Sequence, residues 1–221
     1  MFKITRADPG ALEVGIGEIE DRLTKLTPRA AATVATRAAM RSFPILISHQ
    51  DASDQPFGFW QATQRASYLL SILRCFQYAT FANSLAKFDS DADAACEDAI
   101  PTIGDAFTAI PSENPASNVV YAASEIPAYA SAFSAACATG AAYEAFVKVS
   151  HAIAAFAATA THLDINRIIK NENFSSLLLE PLWLTEMPEE FVTFWNALEI
   201  HLIPSLCESD SFWRFPTPRK S

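Results

Sequence analysis

Glycine is scarce in this chain of 221 residues, with six against thirteen prolines, which argues against a glycine-rich β architecture. Basic residues are also outnumbered. Sixteen lysines and arginines face 25 acids, for a net charge of −9. A surface of that sign repels phosphate, so nucleic acid is excluded as a bulk partner. Long apolar runs are missing too. The longest lies within Ala152 to Ala160 and is closed by Thr161 and His162, well short of the roughly 20 residues that cross a bilayer. The opening Met1-Phe2-Lys3-Ile4-Thr5-Arg6 carries charge but no apolar signal core, so a cytoplasmic protein without a membrane span is expected. The four cysteines, Cys75, Cys96, Cys137 and Cys207, form no CxxC pair. Among apolar and small neighbours they read as buried, reduced thiols.

Catalytic and cofactor signatures are missing as well. The one GxG, Gly15-Ile16-Gly17, has Glu20 at the third glycine position and lies in a helical pattern. There is no GxSxG elbow and no HExxH, HxH or ExxH pair. Asp89, Asp91 and Asp93 imitate the start of a calcium loop. Ala94 and Ile100 then fill the positions where that loop needs glycine and glutamate, so the carboxylates read as a helix start. No catalytic residue, metal site or cofactor is assigned.

What the chain does have is alanine: 39 residues, 38 of them at or before Ala160. Alanine loses no side-chain entropy on entering a helix, and it lets helices approach closely. The last 60 or so residues replace it with Leu, Trp, Phe and Ile. The expected fold is all-α, a bundle of about 7–9 helices with several kinked at proline. It is read as a single domain over 1–221, with Ala-rich helices in 9–161, a bulkier aromatic layer in 162–208 and a tail in 209–221.

Local signals place the helices. Asp8-Pro9 caps a first helix to about Leu26, with Leu12, Ile16, Ile19, Leu23 and Leu26 on one stripe. Thr27-Pro28 restarts a helix to about His49, kinked at Pro44. A long helix from Phe59 to Phe88 buries Tyr68, Leu69, Ile72, Leu73, Phe76 and Phe81. Pro101 and Pro111 are expected to cut the next segment into short pieces, and Pro127 to disturb the one after it. Gly140 is expected to separate that segment from a helix over 141–161 that extends or restarts through Ile169. Leu177 to Leu184 reads equally as helix or buried coil. A last helix runs from about Met187 to Ile203 and stops at Pro204.

Three surfaces carry possible chemistry. Arg22, Lys25, Arg29, Arg37 and Arg41 put five of the 16 basic residues within 20 positions. Arg29, Arg37 and Arg41 project along one stripe, with Thr33 between. This is either a solvated face paired with acids or a dock for an anionic partner or ligand. The C-terminal Trp213-Arg214-Phe215 either packs back on the bundle or anchors a partner, because Trp and Arg dominate binding hot spots. Glu144, Lys148 and His151, at i, i+4 and i+7, read as an exposed salt-bridged row or a buried polar switch centred on His151.

Thr27-Pro28-Arg29-Ala30, then Ala35-Thr36-Arg37-Ala38-Ala39-Met40-Arg41 and Phe43-Pro44-Ile45-Leu46, resemble a PRxA, alanine-arginine helix and Pro-Leu pattern of functionally uncharacterised helical bacterial proteins. Leu182-Trp183, Pro188 and Trp195 are similar to the LW…P…W part of such chains. The resemblance implies a sensor, adaptor or partner role beside bacterial defence or effector modules, and it names no active site. Two functions follow as expectations. One is a non-enzymatic adaptor or regulatory subunit that acts on a protein partner or as a homo-oligomer. The other is a helical bundle that binds a small anionic ligand.

Overall fold

The computed structural model describes residues 17–47, 56–84, 90–126, 132–170, 177–178, 180–183 and 189–207. All regular structure among them is helical, with no strand, so the protein is all-α. Helix α1 is described over 17–23, followed by α2 (Pro28–Ser42) and a 3-10 turn (Phe43–Ile47). Then come α3 (Ala62–Ser84), α4 (Ser90–Thr108), α5 (Pro115–Glu125), α6 (Ala132–Val149), α7 (His151–Ile169) and α8 (Glu189–Cys207). None of these helices is long and apolar enough to cross a membrane.

Helix α2 begins where Thr27-Pro28 dictates. The Thr27 hydroxyl accepts the Ala30 amide at 3.4 Å, and Pro28 fills the first turn, whose amide has no helical partner. Asn114-Pro115 starts α5 in the same way, the side-chain oxygen accepting the Ala116 amide at 2.9 Å. Pro44 does not kink α2. The helix ends at Ser42, and the chain tightens into the 3-10 turn.

Two other prolines are absorbed. Pro101 lies inside α4 and Pro204 inside α8, where chain breaks were expected. Each removes one amide, from the carbonyls of Glu97 and Ile200, and both of those residues are exposed. Water can satisfy an exposed orphan carbonyl, so the helix continues. Pro111 does end its segment, and Pro127 falls outside the described residues.

Gly140 also leaves its helix unbroken, since α6 runs from Ala132 to Val149. The break lies ten residues later at Ser150, one extended residue between α6 and α7. Its amide still donates to the Phe146 carbonyl (2.8 Å), and its carbonyl accepts from Ala154 (2.9 Å), so the chain turns without losing either bond.

One continuous apolar core runs from Ile19 to Leu198. Its centre is α6, packed most extensively on α2 and α5 through alanine-rich faces. Larger side chains close both flanks. The Trp60 indole donates to the Ala106 carbonyl in the last turn of α4 at 3.0 Å, satisfying an acceptor the helix leaves open. Trp183 packs edge-on to Phe191 (5.5 Å between ring centroids) and to Phe146 (6.4 Å). Of the six residues expected on the buried face of α3, Tyr68, Leu69, Ile72 and Phe76 are buried and Leu73 is half-buried. The side chain of Phe81 is outside the described residues.

Candidate binding cleft

The basic stripe read from the sequence divides in two. Arg37 and Arg41 do not lie on a solvated face; both are 0% exposed. Their i, i+4 spacing on α2 aims both guanidiniums at one carboxylate on α7. Arg37 Nε donates to Asp164 Oδ2 at 2.9 Å and Arg41 Nη2 to the same oxygen at 2.6 Å, with Asp164 also 0% exposed.

The other guanidinium nitrogens, except Arg41 Nη1, which is buried without a hydrogen-bond partner among the described residues, grip the backbone at Leu177 and at 180–182. Arg37 donates to the carbonyls of Leu177, Glu180 (3.1 Å) and Pro181 (2.7 Å), and Arg41 Nε to that of Leu182 (2.7 Å). The Arg41 guanidinium also stands 5.7 Å from the centroid of the Trp183 ring. Burial pulls the Arg41 pKa below its ordinary value; Asp164 opposes that shift and Arg37 adds to it. Of the segment that reads equally as helix or coil, Leu177 is helical and residues 180–183 are irregular backbone, and two arginines donate to the carbonyls of Leu177, Glu180, Pro181 and Leu182. An Arg167–Glu180 ion pair adds a second tie. These guanidiniums are committed to internal acceptors, so neither is presented to an anion from solution.

The other members of the cluster stay outside. Arg22 is half-buried and donates to His162 Nδ1 (2.9 Å) and Asn166 Oδ1 (2.6 Å). Lys25 and Arg29 are exposed. Trp213, Arg214 and Phe215 lie outside the described residues, as do Asp89 and the side chains of Asp91, Asp93, Cys96 and Cys207. No group of three or more His, Cys, Asp or Glu side chains that could hold a metal ion occurs among the described residues.

The structure opens instead a cleft of about 750 Å³ between α1, α4, α5 and α6. Phe107, Ile110, Tyr121 and Ala141 give it apolar walls, and Glu20, Asn118, Glu144 and Lys148 give it polar ones. Phe107 and Tyr121 are exposed at 40% and 38%, with ring centroids 5.8 Å apart. Asn118 organises one end. Its Nδ2 donates to Glu144 (2.6 Å), and its Oδ1 accepts from Lys148 (2.8 Å), which also donates to the Ser112 carbonyl (3.0 Å). Glu144, Lys148 and His151 are all exposed, so His151 is no buried switch, and Glu144 and Lys148 are linked through Asn118 rather than by the expected salt bridge.

The Glu20 carboxylate lies directly over Gly140. A Cβ there would sit 2.7 Å from Glu20 Oε1, so the missing side chain is what admits the carboxylate. Cys137, expected to be buried, is half-buried beside it, whereas Cys75 is buried. Burial first, then Glu125 and Glu20, push the Cys137 thiol above its ordinary pKa, which disfavours the nucleophilic thiolate. Burial and Glu125 raise the Tyr121 phenol in the same way.

No protein-family model, curated protein or solved structure matches this chain. The site therefore has to be read from its own residues. Sequence reasoning missed Glu20, Phe107, Tyr121 and Cys137 as a group, because four helices bring them together. A signal was nonetheless present in α6, where positions 137, 140, 141, 144 and 148 recur at helical spacing on one face.

Proposed function

We propose that this chain is a non-enzymatic adaptor or regulatory subunit that works by gripping a protein partner at the α5–α6 cleft. The observation that carries this reading is the exposed Phe107–Tyr121 pair on the border of a concave surface. Paired rings left in water lose free energy unless something covers them, and aromatic anchors beside a pocket are where binding energy concentrates. The resemblance to proteins found beside defence or effector modules supplies a setting for such a subunit. The alternative of a small anionic ligand loses support, because Arg37 and Arg41 are spent inside the fold and the cleft carries Glu20 and Glu144.

The test is partner retention by tagged protein in extract of the source organism, with light scattering to follow stoichiometry. Wild type is compared with Phe107→Glu and Tyr121→Glu. Both positions are partly exposed, so unchanged melting temperatures should accompany a selective loss of partner. A partner held equally by all three proteins, or a protein that stays monomeric and alone, would refute the assignment.

A further inference from the structure

The floor of the cleft is a single stripe of α6. Cys137, Gly140, Ala141, Glu144 and Lys148 share one face, and Phe133 extends that face by one turn. At 1.5 Å rise per residue the stripe is about 22 Å long. Its middle is formed by a cysteine, a glycine and an alanine, with the Glu20 carboxylate reaching over the glycine, and Phe133 beyond it is 71% exposed. A long trough of small residues flanked by exposed rings has the shape that receives a helix laid on its apolar side. It is longer than a compact small molecule needs.

Charge decides what kind of helix. The Glu20 carboxylate has no hydrogen-bond partner among the described residues. Glu125 stands beside Tyr121 and Cys137, and Glu144 is part of the lining. The one cation in the lining, Lys148, is already held by the Ser112 carbonyl and Asn118 Oδ1. Within the lining two carboxylates, Glu20 and Glu144, therefore face the single ammonium of Lys148, and Glu125, bonded to the Tyr121 phenol, adds a third acid at its edge. A second copy of this chain, at net charge −9, is a poor electrostatic match.

We propose that the cleft docks an amphipathic helix of a partner protein whose apolar face covers Phe107, Tyr121 and Phe133 and whose flank carries lysine or arginine toward Glu20 and Glu125. This rests on the adaptor reading and specifies the chemistry of the partner. Like charge facing Glu20 disfavours acidic helices, so the carboxylates set selectivity and the rings set affinity.

The experiment uses the full chain and three labelled peptides of about 18 residues, roughly the length of the trough plus a turn, read by fluorescence anisotropy at physiological salt. One is an amphipathic Leu/Lys helix, one a Leu/Glu helix with the same apolar face, and one a scramble of the Leu/Lys composition. The Leu/Lys helix should bind at least ten-fold tighter than either of the others. Tyr121→Glu and Phe133→Asp should each weaken it about ten-fold, and Glu20→Lys should shift the preference toward the Leu/Glu peptide. Circular dichroism melts confirm that each variant is folded. Equal binding of the scramble, preference for the Leu/Glu helix, or indifference to all three substitutions would overturn the proposal. A chain lacking 209–221 is run in parallel; binding seen only after that deletion makes the chain's own tail the occupant and refutes the partner helix. A dimer that the peptide does not dissociate refutes it too. If no peptide binds while partner retention in extract still depends on Tyr121, the basic-helix inference fails and the adaptor reading stands.

Discussion

Replacing Asp164 with alanine tests the interior of this protein most directly. Its Oδ2 atom is the shared acceptor for Arg37 Nε and Arg41 Nη2, at 2.9 and 2.6 Å, and all three side chains are 0% exposed. The substitution leaves two like charges buried next to each other with no counter-ion. Removing one member of a buried ion pair costs about 3–5 kcal/mol. That is a large share of the 5–15 kcal/mol typical of a whole domain. For a chain of this size each kcal/mol moves the melting temperature by roughly 2–4 °C, so the expected fall is about 6–20 °C.

Urea titration followed by tryptophan fluorescence and circular dichroism gives the free energy and shows whether the slope is preserved. Asp164→Asn keeps an acceptor and loses the charge, so it should cost less than alanine. Arg37→Met in the Asp164→Ala background should not rescue stability. It removes the like-charge repulsion, but it also strips the donors from the Leu177, Glu180 and Pro181 carbonyls. Trp183 emission should then shift to the red as segment 177–183 leaves its aromatic seat. A loss below about 1 kcal/mol for Asp164→Ala, the level of an exposed pair, would refute the claim that this is a buried clasp.

Three further outcomes are expected. Burial, reinforced by Arg22 and opposed by Glu18, holds the His162 pKa below its ordinary value, and the Arg22 bond to Nδ1 needs the neutral ring. The folded state thus binds fewer protons than the unfolded one, so stability should be full above a pH of about 6.5 and fall as the pH drops below it; a His162 titration at or above the ordinary value by NMR contradicts this. Gly140→Ala should stabilise by about 0.5–1 kcal/mol in chemical denaturation, because it gains helix propensity and displaces only the flexible end of Glu20; a loss of stability would show that Glu20 is locked in place. The buried Tyr143 hydroxyl has no hydrogen-bond partner among the described residues, and burial pushes its pKa up to about 12. Tyr143→Phe should therefore be neutral or stabilising by about 1 kcal/mol, and a clear destabilisation by the same assay would reveal a hidden partner.

Local chemistry was legible where its cause is local. The Thr27-Pro28 cap, the buried side of α3 and the placing of Arg37 and Arg41 on one face follow from neighbours within a turn or two. The proline and glycine breaks were misplaced because the local rule ignores exposure and neighbouring helices. Pro101 and Pro204 orphan the carbonyls of exposed residues, and Gly140 marks the approach of Glu20 from α1. The cleft was legible only as a stripe on α6, since its walls come from helices distant in sequence.

Alanine density, helix-start residues and the missing strand signals determined the all-α architecture by themselves, since helix propensity and capping act residue by residue. Helix α2 is buried on almost every side, and what its arginines face was decided only in three dimensions. Alanine packs on every side of that helix, so its pattern does not say where Arg37 and Arg41 go. Their partners lie 123 to 144 positions away, on α7 and on segment 177–183. A guanidinium is tolerated in the interior only when a carboxylate and enough carbonyls meet it there, and only the tertiary fold brings them to that spot.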